Sequence, residues 1–359
     1  MTNQSLEKVN IYACFSANTD FDFDQLGKGI SRDKTHKVYL ACAMAFFASS
    51  IRFNPTANHI FCTNLQKLPS IDGIDFQRIL TNWGVKVKHL PFHYLPPKNL
   101  VNRFGNTLYK IDLFREIAES GNDYNMIVDI DCVWIQNALP LLELAQSGKM
   151  LLCDVKDTKT DLFPLYKKID PQYPNPTPIH LGGGFMMGTK EQFTRCEVDS
   201  VWLMNRLKEF DNDNPPIFNN GMSIYEGDEL FTSFTLNKFF SDYIDISSTY
   251  KYLCIVGTVK EHYNVKPEML QTMILHLYTE KRTGFQFLLP KLLDSQSLFW
   301  TISLDKFPEY VGGFFGIPKR THPHPIIWNL MLLKKEYNYF MKDLRKWQYE
   351  LRMKLLKKL

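Results

Sequence analysis

Short apolar runs rich in β-branched and aromatic residues alternate with longer amphipathic segments through the first half of the chain. That alternation restricts the fold more than any other feature of the sequence. Strands covered by helices on both faces lose the polar half of the strand pattern and read as nearly continuous apolar runs. A crossover between parallel strands also needs about a dozen residues. The pattern predicts strands over 9–15, 59–63, 85–90, 126–130, 150–153 and 184–188, with helices over 37–53, 75–83, 108–120 and 139–146 between them. The expectation is an α/β protein built on a mostly parallel sheet. At 359 residues the chain suffices for one large domain or two ordinary ones. The second half is less regular, with Pro-rich loops expected over 171–178 and around Pro215 and Pro216, and no internal repeat of 20 to 50 residues is evident.

The formal net charge of +4 is unevenly distributed. Residues 334–359 hold nine Lys or Arg against three acids, so the remainder of the chain is slightly acidic. This argues against a generally basic nucleic-acid binder and sets apart a basic C-terminal segment. The seven cysteines are scattered and contain no C-x-x-C pair, which suggests neither a disulfide framework nor a zinc site and leaves buried, reduced thiols as the expectation. Asp20, Asp22 and Asp24 stand where a secretory signal would be apolar. The longest apolar stretch, 39–47, is about half of the roughly 20 residues that span a bilayer. A cytoplasmic enzyme is expected.

The chemistry is concentrated at Asp129 and Asp131 in MIVDIDCVW, where an otherwise apolar strand ends in two carboxylates. In an open parallel sheet, ligands bind in the crevice beyond the strand C-termini. Residues two apart on an extended chain point the same way, so both carboxylates can face one hard cation. Acids that merely form a turn or cap a helix are the structural alternative. A second apolar run, MILHLY, is interrupted by His276 and followed by Lys281 and Arg282. This imidazole is either a hydrogen-bonded core histidine or the group that joins two Asp to hold Mg²⁺ or Mn²⁺, with the basic pair meeting phosphate oxygens. A site of that kind suits departure of a nucleoside diphosphate, because cations neutralise the charge growing on the leaving group.

The same residues admit other readings. DIDCV also fits the nucleophile strand of haloacid-dehalogenase-like phosphatases, with Asp129 as nucleophile and Asp131 as acid/base, although three βα units precede it here and no downstream acidic pair follows. A non-catalytic carbohydrate-binding protein is a third reading. Neither a G-x-G-x-x-G after a first strand nor a P-loop is present, and His322 and His324 lie among prolines in what reads as an extended loop.

The order of these motifs resembles the GT-A fold, metal-dependent nucleotide-sugar glycosyltransferases. Within them it resembles the retaining galactosyl- and glucosyltransferases of lipopolysaccharide and glycogenin type. The likeness covers 9–284 through IYACFSANTDF, NTLYKIDLF, the D-x-D strand, HLGGGFMM, EGDELF and the late histidine. It implies a Rossmann-like, mostly parallel central sheet flanked by helices over 1–284, then a mainly helical extension over 285–333. It further implies Asp129, Asp131 and His276 as ligands of Mn²⁺ or Mg²⁺, and Ser16 and Asn18 at the nucleotide. Lys110 would approach the donor, and Arg282, or Lys281 beside it, the diphosphate. Asp228 or Glu229, with Glu226 a weaker candidate, would lie near the transferred sugar and acceptor. The chain departs from the family pattern in His276-Leu-Tyr-Thr-Glu-Lys-Arg, which lacks the family's glycine and Pro-Trp, and at Gly182, where Asn or Asp is common. An inverting enzyme would use Asp228 or Glu229 as general base on the acceptor hydroxyl. In a retaining one, the outcome the resemblance leans toward, the same acids would orient substrate or stabilise an oxocarbenium-like state. A solvated helix start at 227–229 is the alternative.

The implied partners are a nucleotide diphosphate sugar and a glycan or lipid-linked glycan acceptor, in bacterial lipopolysaccharide, capsule or a related surface glycan. Over 334–359, Tyr337, Phe340, Leu344, Trp347, Leu351 and Leu355 recur at helical spacing opposite most of the basic residues. Such a basic amphipathic helix can lie on an anionic membrane at the cytoplasmic face, or dock on its own domain or in a homodimer.

Overall fold

The computed structural model describes residues 6–17, 31–95, 105–155, 161–210, 224–226, 228–239, 243–247, 251–255 and 270–317, with 330, 333, 337, 341, 344 and 348. The chain forms β1 (Val9–Phe15), α1 (Arg32–Phe53), β2 (Asn58–Thr63), a hairpin of β3 (Ser70–Ile71) and β4 (Ile74–Asp75), α2 (Phe76–Asn82) and β5 (Lys86–His89). Then come α3 (Tyr109–Ser120), β6 (Tyr124–Val128), β7 (Cys132–Trp134), α4 (Leu139–Ala145), β8 (Met150–Asp154), α5 (Phe163–Ile169), β9 (Leu181–Thr189) and α6 (Lys190–Leu207). The remainder gives α7 (Asp228–Phe239), β10 (Tyr243–Asp245), β11 (Leu253–Ile255), β12 (Ile274–His276), α8 (Gly284–Leu293), α9 (Leu298–Thr301) and α10 (Phe307–Phe315).

The main sheet has seven strands in the order β10-β8-β9-β6-β1-β2-β5. Every neighbouring pair is parallel except the two made by β9, which runs against both β6 and β8. The fold is the expected mixed α/β architecture, a mostly parallel sheet flanked by helices. Side chains sort by the two-residue period of the strands. Val9, Ile11, Ala13 and Phe15 of β1, with Met126 and Val128 of β6, enter the layer shared with α1 and α8, whereas Tyr12 and Ile127 enter the layer of α3, α6 and α7. Burial on both faces is why these strands read as unbroken apolar runs.

The long helix α1 organises one layer. Every residue from 40 to 50 is buried, so it has no polar face over three turns and is covered all round. Ser31 caps its start by accepting the Lys34 N–H. At its C-terminal end the Arg52 guanidinium donates to the Phe299 and Ile302 carbonyls and lies 4.6 Å from the Phe307 ring centroid. Phe53 and Phe307 meet edge to face, and Phe285 packs on Phe315, so residues 284–317 share the hydrophobic core of the α1 layer. Among the described residues, no helix is long and apolar enough to cross a membrane. Most of the basic segment 334–359 lies outside the described residues, as do Pro215, Pro216, His322 and His324. Those that are described there, Tyr337, Met341, Leu344 and Gln348, are helical.

The chain leaves β1 outward through β2 and β5, then returns to the other flank of β1 with β6. This reversal puts the C-terminal ends of β1 and β6 side by side, and a crevice at such a point is where open α/β sheets bind ligands. The strand following β6 is fixed to α1 by side chains. Ser49 Oγ accepts the Trp134 N–H at 3.0 Å and donates to the Phe46 carbonyl, and Asn54 Oδ1 accepts the Ala138 N–H at 2.7 Å. Replacing Ser49 by Ala strands a buried N–H, so a loss of about 1–3 kcal/mol is expected in urea unfolding. An unchanged midpoint and slope would show that this bond does not hold β7.

Candidate active site

Asp129 and Asp131 do not sit on one extended strand as the sequence suggested. The strand β6 ends at Val128, and 129–132 form a turn in which the Cys132 N–H donates to the Asp129 carbonyl at 3.1 Å. Two neighbours hold the turn. The Asp129 N–H donates to the Gly184 carbonyl of β9, and the Leu277 N–H donates to the Asp131 carbonyl. Beyond the turn, β7 pairs antiparallel with β12 in a register that sets Cys132 opposite His276. Convergence of the two acids with the histidine therefore follows from the turn and this short pairing, not from strand alternation.

His276 Nε2 lies 3.3 Å from Asp131 Oδ1 and 3.7 Å from Asp129 Oδ2. Lys281 approaches the other oxygen of Asp131 from the end of a 3₁₀ turn, Tyr278–Glu280, that the buried Glu280 pins by accepting from Thr283 and the Gly284 N–H. Of the adjacent basic pair, Lys281 is thus the one that joins Asp131, and Arg282 after it is exposed. On the other side, Lys110 Nζ of α3 lies 2.6 Å from Asp129 Oδ1 and 2.7 Å from Asp228 Oδ2, and donates to the Gly183 carbonyl at 2.7 Å. Asp228 opens α7, where its N–H donates to Thr107 Oγ1. It is 4% exposed, so it is no solvated helix start.

Burial and charge pull these groups in opposite directions. Burial opposes ionisation of Asp131, but Lys281 and His276 outweigh it and hold the carboxyl well below the usual carboxylate range. Burial likewise opposes the charged forms of Lys110, Lys281 and His276, yet the neighbouring carboxylates raise all three, Lys110 most. Asp228 is raised, with burial the larger effect and Lys110 working against it. Glu229 next to it is different: its side chain is 48% exposed, and its pKa is lowered because His180, Lys110 and the Gly183 N–H overcome the burial of the rest.

The residues fit a hard divalent cation. Two carboxylates and an imidazole offer oxygen and nitrogen donors of the right kind, and the buried His276 Nδ1 has no hydrogen-bond partner. A second donor set shares two members, since ligand atoms of Asp131, Cys132 and His276 lie within 4.8 Å of one another. Cys132 is fully buried and its thiol is pushed well above its ordinary pKa, chiefly by burial, so it stays protonated. The partly exposed Asp129 is the better third donor. Cys132 was not singled out in the sequence, where it reads as one more apolar strand residue. All seven cysteines are free, six of them buried.

The glycine run of β9 makes the room. A Cβ on Gly183 would fall 1.9 Å from Asp228 Oδ2 and 3.0 Å from Lys110 Nζ, and one on Gly184 would lie 2.9 Å from the His276 ring. Ser16 stands at the end of β1 and donates to the Asn106 carbonyl, tying that turn to the approach of α3. Asn18 lies outside the described residues, and Glu226 ends a 3₁₀ turn, Ile224–Glu226, just before α7. Gly183→Ala is expected to force the Lys110–Asp228 pair apart and lower stability by about 1–3 kcal/mol in thermal melts. Gly182→Ala, whose Cβ would meet only Val155 and Cys153 at 3.3–3.6 Å, should cost far less. Equal effects would contradict the close packing at Gly183.

No protein-family model matches the chain, and no curated protein matches it. Solved structures similar to it include the bifunctional glycosyltransferase WbbM, at 12% identity over 75% of this chain and 45% of that one, with a TM-score of 0.43. Mouse xyloside xylosyltransferase 1 is similar at 11% identity over 75% of this chain and 97% of that one, with a TM-score of 0.42. The galactosyltransferase LgtC, solved with donor and acceptor sugar analogues, is similar at 12% identity over 88% of this chain and 98% of that one, with a TM-score of 0.43. The chain thus spans less than half the length of WbbM, and the likeness to all three is one of overall architecture.

Proposed function

We propose that this protein is a glycosyltransferase that moves a hexose from a nucleotide diphosphate sugar to a glycan or lipid-linked glycan, with Mn²⁺ or Mg²⁺ held by Asp129, Asp131 and His276. The observation that carries the reading is the set of charges at the C-terminal end of β6. Three carboxylates, an imidazole and two lysines meet where the strand order reverses. The chemistry a bound cation supplies there is neutralisation of the charge on the leaving diphosphate.

The chain's own groups divide the remaining work. Lys110 fixes Asp129 and Asp228 and supplies a buried positive charge at the sugar end of the site. Lys281 is placed to meet a phosphate oxygen as a point charge, with Arg282 beside it. Ser16, and Asn18 after it, serve the nucleotide at the end of β1. Of the two acids that open α7, Asp228 is buried under Lys110 and balances its charge, so Glu229 is the carboxylate that meets a sugar hydroxyl. Retention of configuration is the outcome we infer from the motif resemblance, and the anomeric proton coupling of the product reads it directly. The same resemblance favours a bacterial surface glycan, lipopolysaccharide or capsule, as the acceptor at the cytoplasmic membrane face. The basic segment 334–359 would supply attraction to anionic lipid there.

A panel of UDP- and GDP-hexoses, scored for nucleoside diphosphate release with Mn²⁺ and with chelator, tests the reading. Metal-dependent release from one donor is expected, and Asp131→Asn should lower it at least about a hundredfold. Lys281→Ala should weaken it more than Arg282→Ala, because Lys281 is the one that joins Asp131. Metal-independent turnover would overturn the cation site, and phosphate release from simple monoesters would favour a phosphatase built on Asp129 and Asp131.

A further inference from the structure

The segment leading into β9 is bolted to one face of α7. Asn237 Oδ1 accepts the Ile179 N–H at 2.7 Å while its Nδ2 donates to the Ile179 carbonyl, and Ser233 Oγ repeats the pattern with the N–H and carbonyl of Leu181. The third residue on this face at the same four-residue spacing is Glu229, which accepts from the Gly183 N–H. Ser233 and Asn237 are buried and neutral, as befits groups that only fasten backbone. Glu229 carries a charge and is half exposed.

Between the two fastened residues stands His180, its carbonyl accepting the Val155 N–H and its Nε2 lying 3.5 Å from Glu229 Oε2. The backbone on both sides of the imidazole is thereby fixed against the helix that carries the carboxylate. Gly183 touches Glu229 through its N–H and Lys110 through its carbonyl, so a single residue links the pair to the charge cluster of the candidate site.

We propose that His180 is a positioning residue, which holds the Glu229 carboxylate aimed at a hydroxyl of the sugar substrate. This rests on the glycosyltransferase reading for the substrate, but not for the pairing itself. The groups that face Glu229 are His180 from the segment before β9, Lys110 from α3, Asp228 from its own helix and the Cys153 thiol of β8. Of these only His180 and Lys110 favour the ionised form, and Lys110 already serves two other carboxylates. Removing the imidazole therefore raises the pH at which Glu229 takes up a proton.

Two measurements separate the pairing from the reaction. In protein labelled with ¹³C at glutamate carboxyls, the Glu229 resonance, assigned by its loss in Glu229→Gln, should titrate below the ordinary glutamate range and rise by about one pH unit in His180→Ala. In the release assay, the acid limb of kcat/KM should shift upward by the same amount. His180→Gln, which keeps a hydrogen-bond donor without the charge, should restore rate above the limb and shift the limb less than His180→Ala does. An unmoved Glu229 titration in a folded His180→Ala protein overturns the proposal, and so does a loss of rate that is uniform in pH. If no nucleotide sugar is turned over by the natural protein, the glycosyltransferase reading fails while the carboxyl titration still decides the pairing. Should His180→Ala fail to fold, the same titration and pH profile in His180→Gln carry the decision.

Discussion

The buried ammonium of Lys110 is the interaction on which the rest of the site depends. It is 6% exposed and holds Asp129 and Asp228 within hydrogen-bond distance, together with the Gly183 carbonyl. A charge taken out of water at such depth is tolerated only when it is paired and hydrogen-bonded, and each of its partners comes from a different element. One ion cluster therefore joins α3, the end of β6, the glycine strand β9 and the start of α7. Removing Lys110 would leave Asp228 buried without its counter-charge, a loss on the order of 3–5 kcal/mol. The glycines at 183 and 184 are the steric counterpart of this cluster, since side chains there would occupy the space of Asp228 and His276.

A second cluster, Asp131 with His276 and Lys281, is organised by different means. The D-x-D turn is held between β9 and the β7–β12 pairing, and the 3₁₀ turn after β12 delivers the lysine. The two clusters share Asp129, which approaches both Lys110 and His276 and is the more open of the paired aspartates. Charge is nearly balanced across the whole set, so a cation and a diphosphate can enter together without leaving a large net charge in the crevice.

Much of this was legible in the sequence because the strands that carry it are buried on both faces. Runs such as 9–15 and 126–130 stand out as unbroken apolar stretches, and a strand of that kind ending in Asp129 and Asp131 marks the crevice. The strands β7 and β10 to β12 were not legible, since three residues are too few to show a period. Reading the D-x-D as extended chain brought the two carboxylates together for the wrong geometric reason. Spacing alone left Lys281 and Arg282 undecided, because only the turn after β12 shows which of two neighbours reaches inward. His180 was invisible for another reason: it sits at the end of a Pro-rich stretch, and its meaning lies in Glu229, far along the chain and brought near by the seam between β9 and α7.

The proposed activity stands or falls on whether Asp129, Asp131 and His276 together hold a divalent cation beside a diphosphate. A crystal grown with Mn²⁺ and a nucleoside diphosphate, and measured for anomalous scattering, tests it most directly. One manganese peak is expected, bonded to oxygens of both aspartates and a nitrogen of His276, with diphosphate oxygens on the metal and Lys281 turned toward them. A manganese peak elsewhere, or diphosphate bound away from the end of β6, would contradict it.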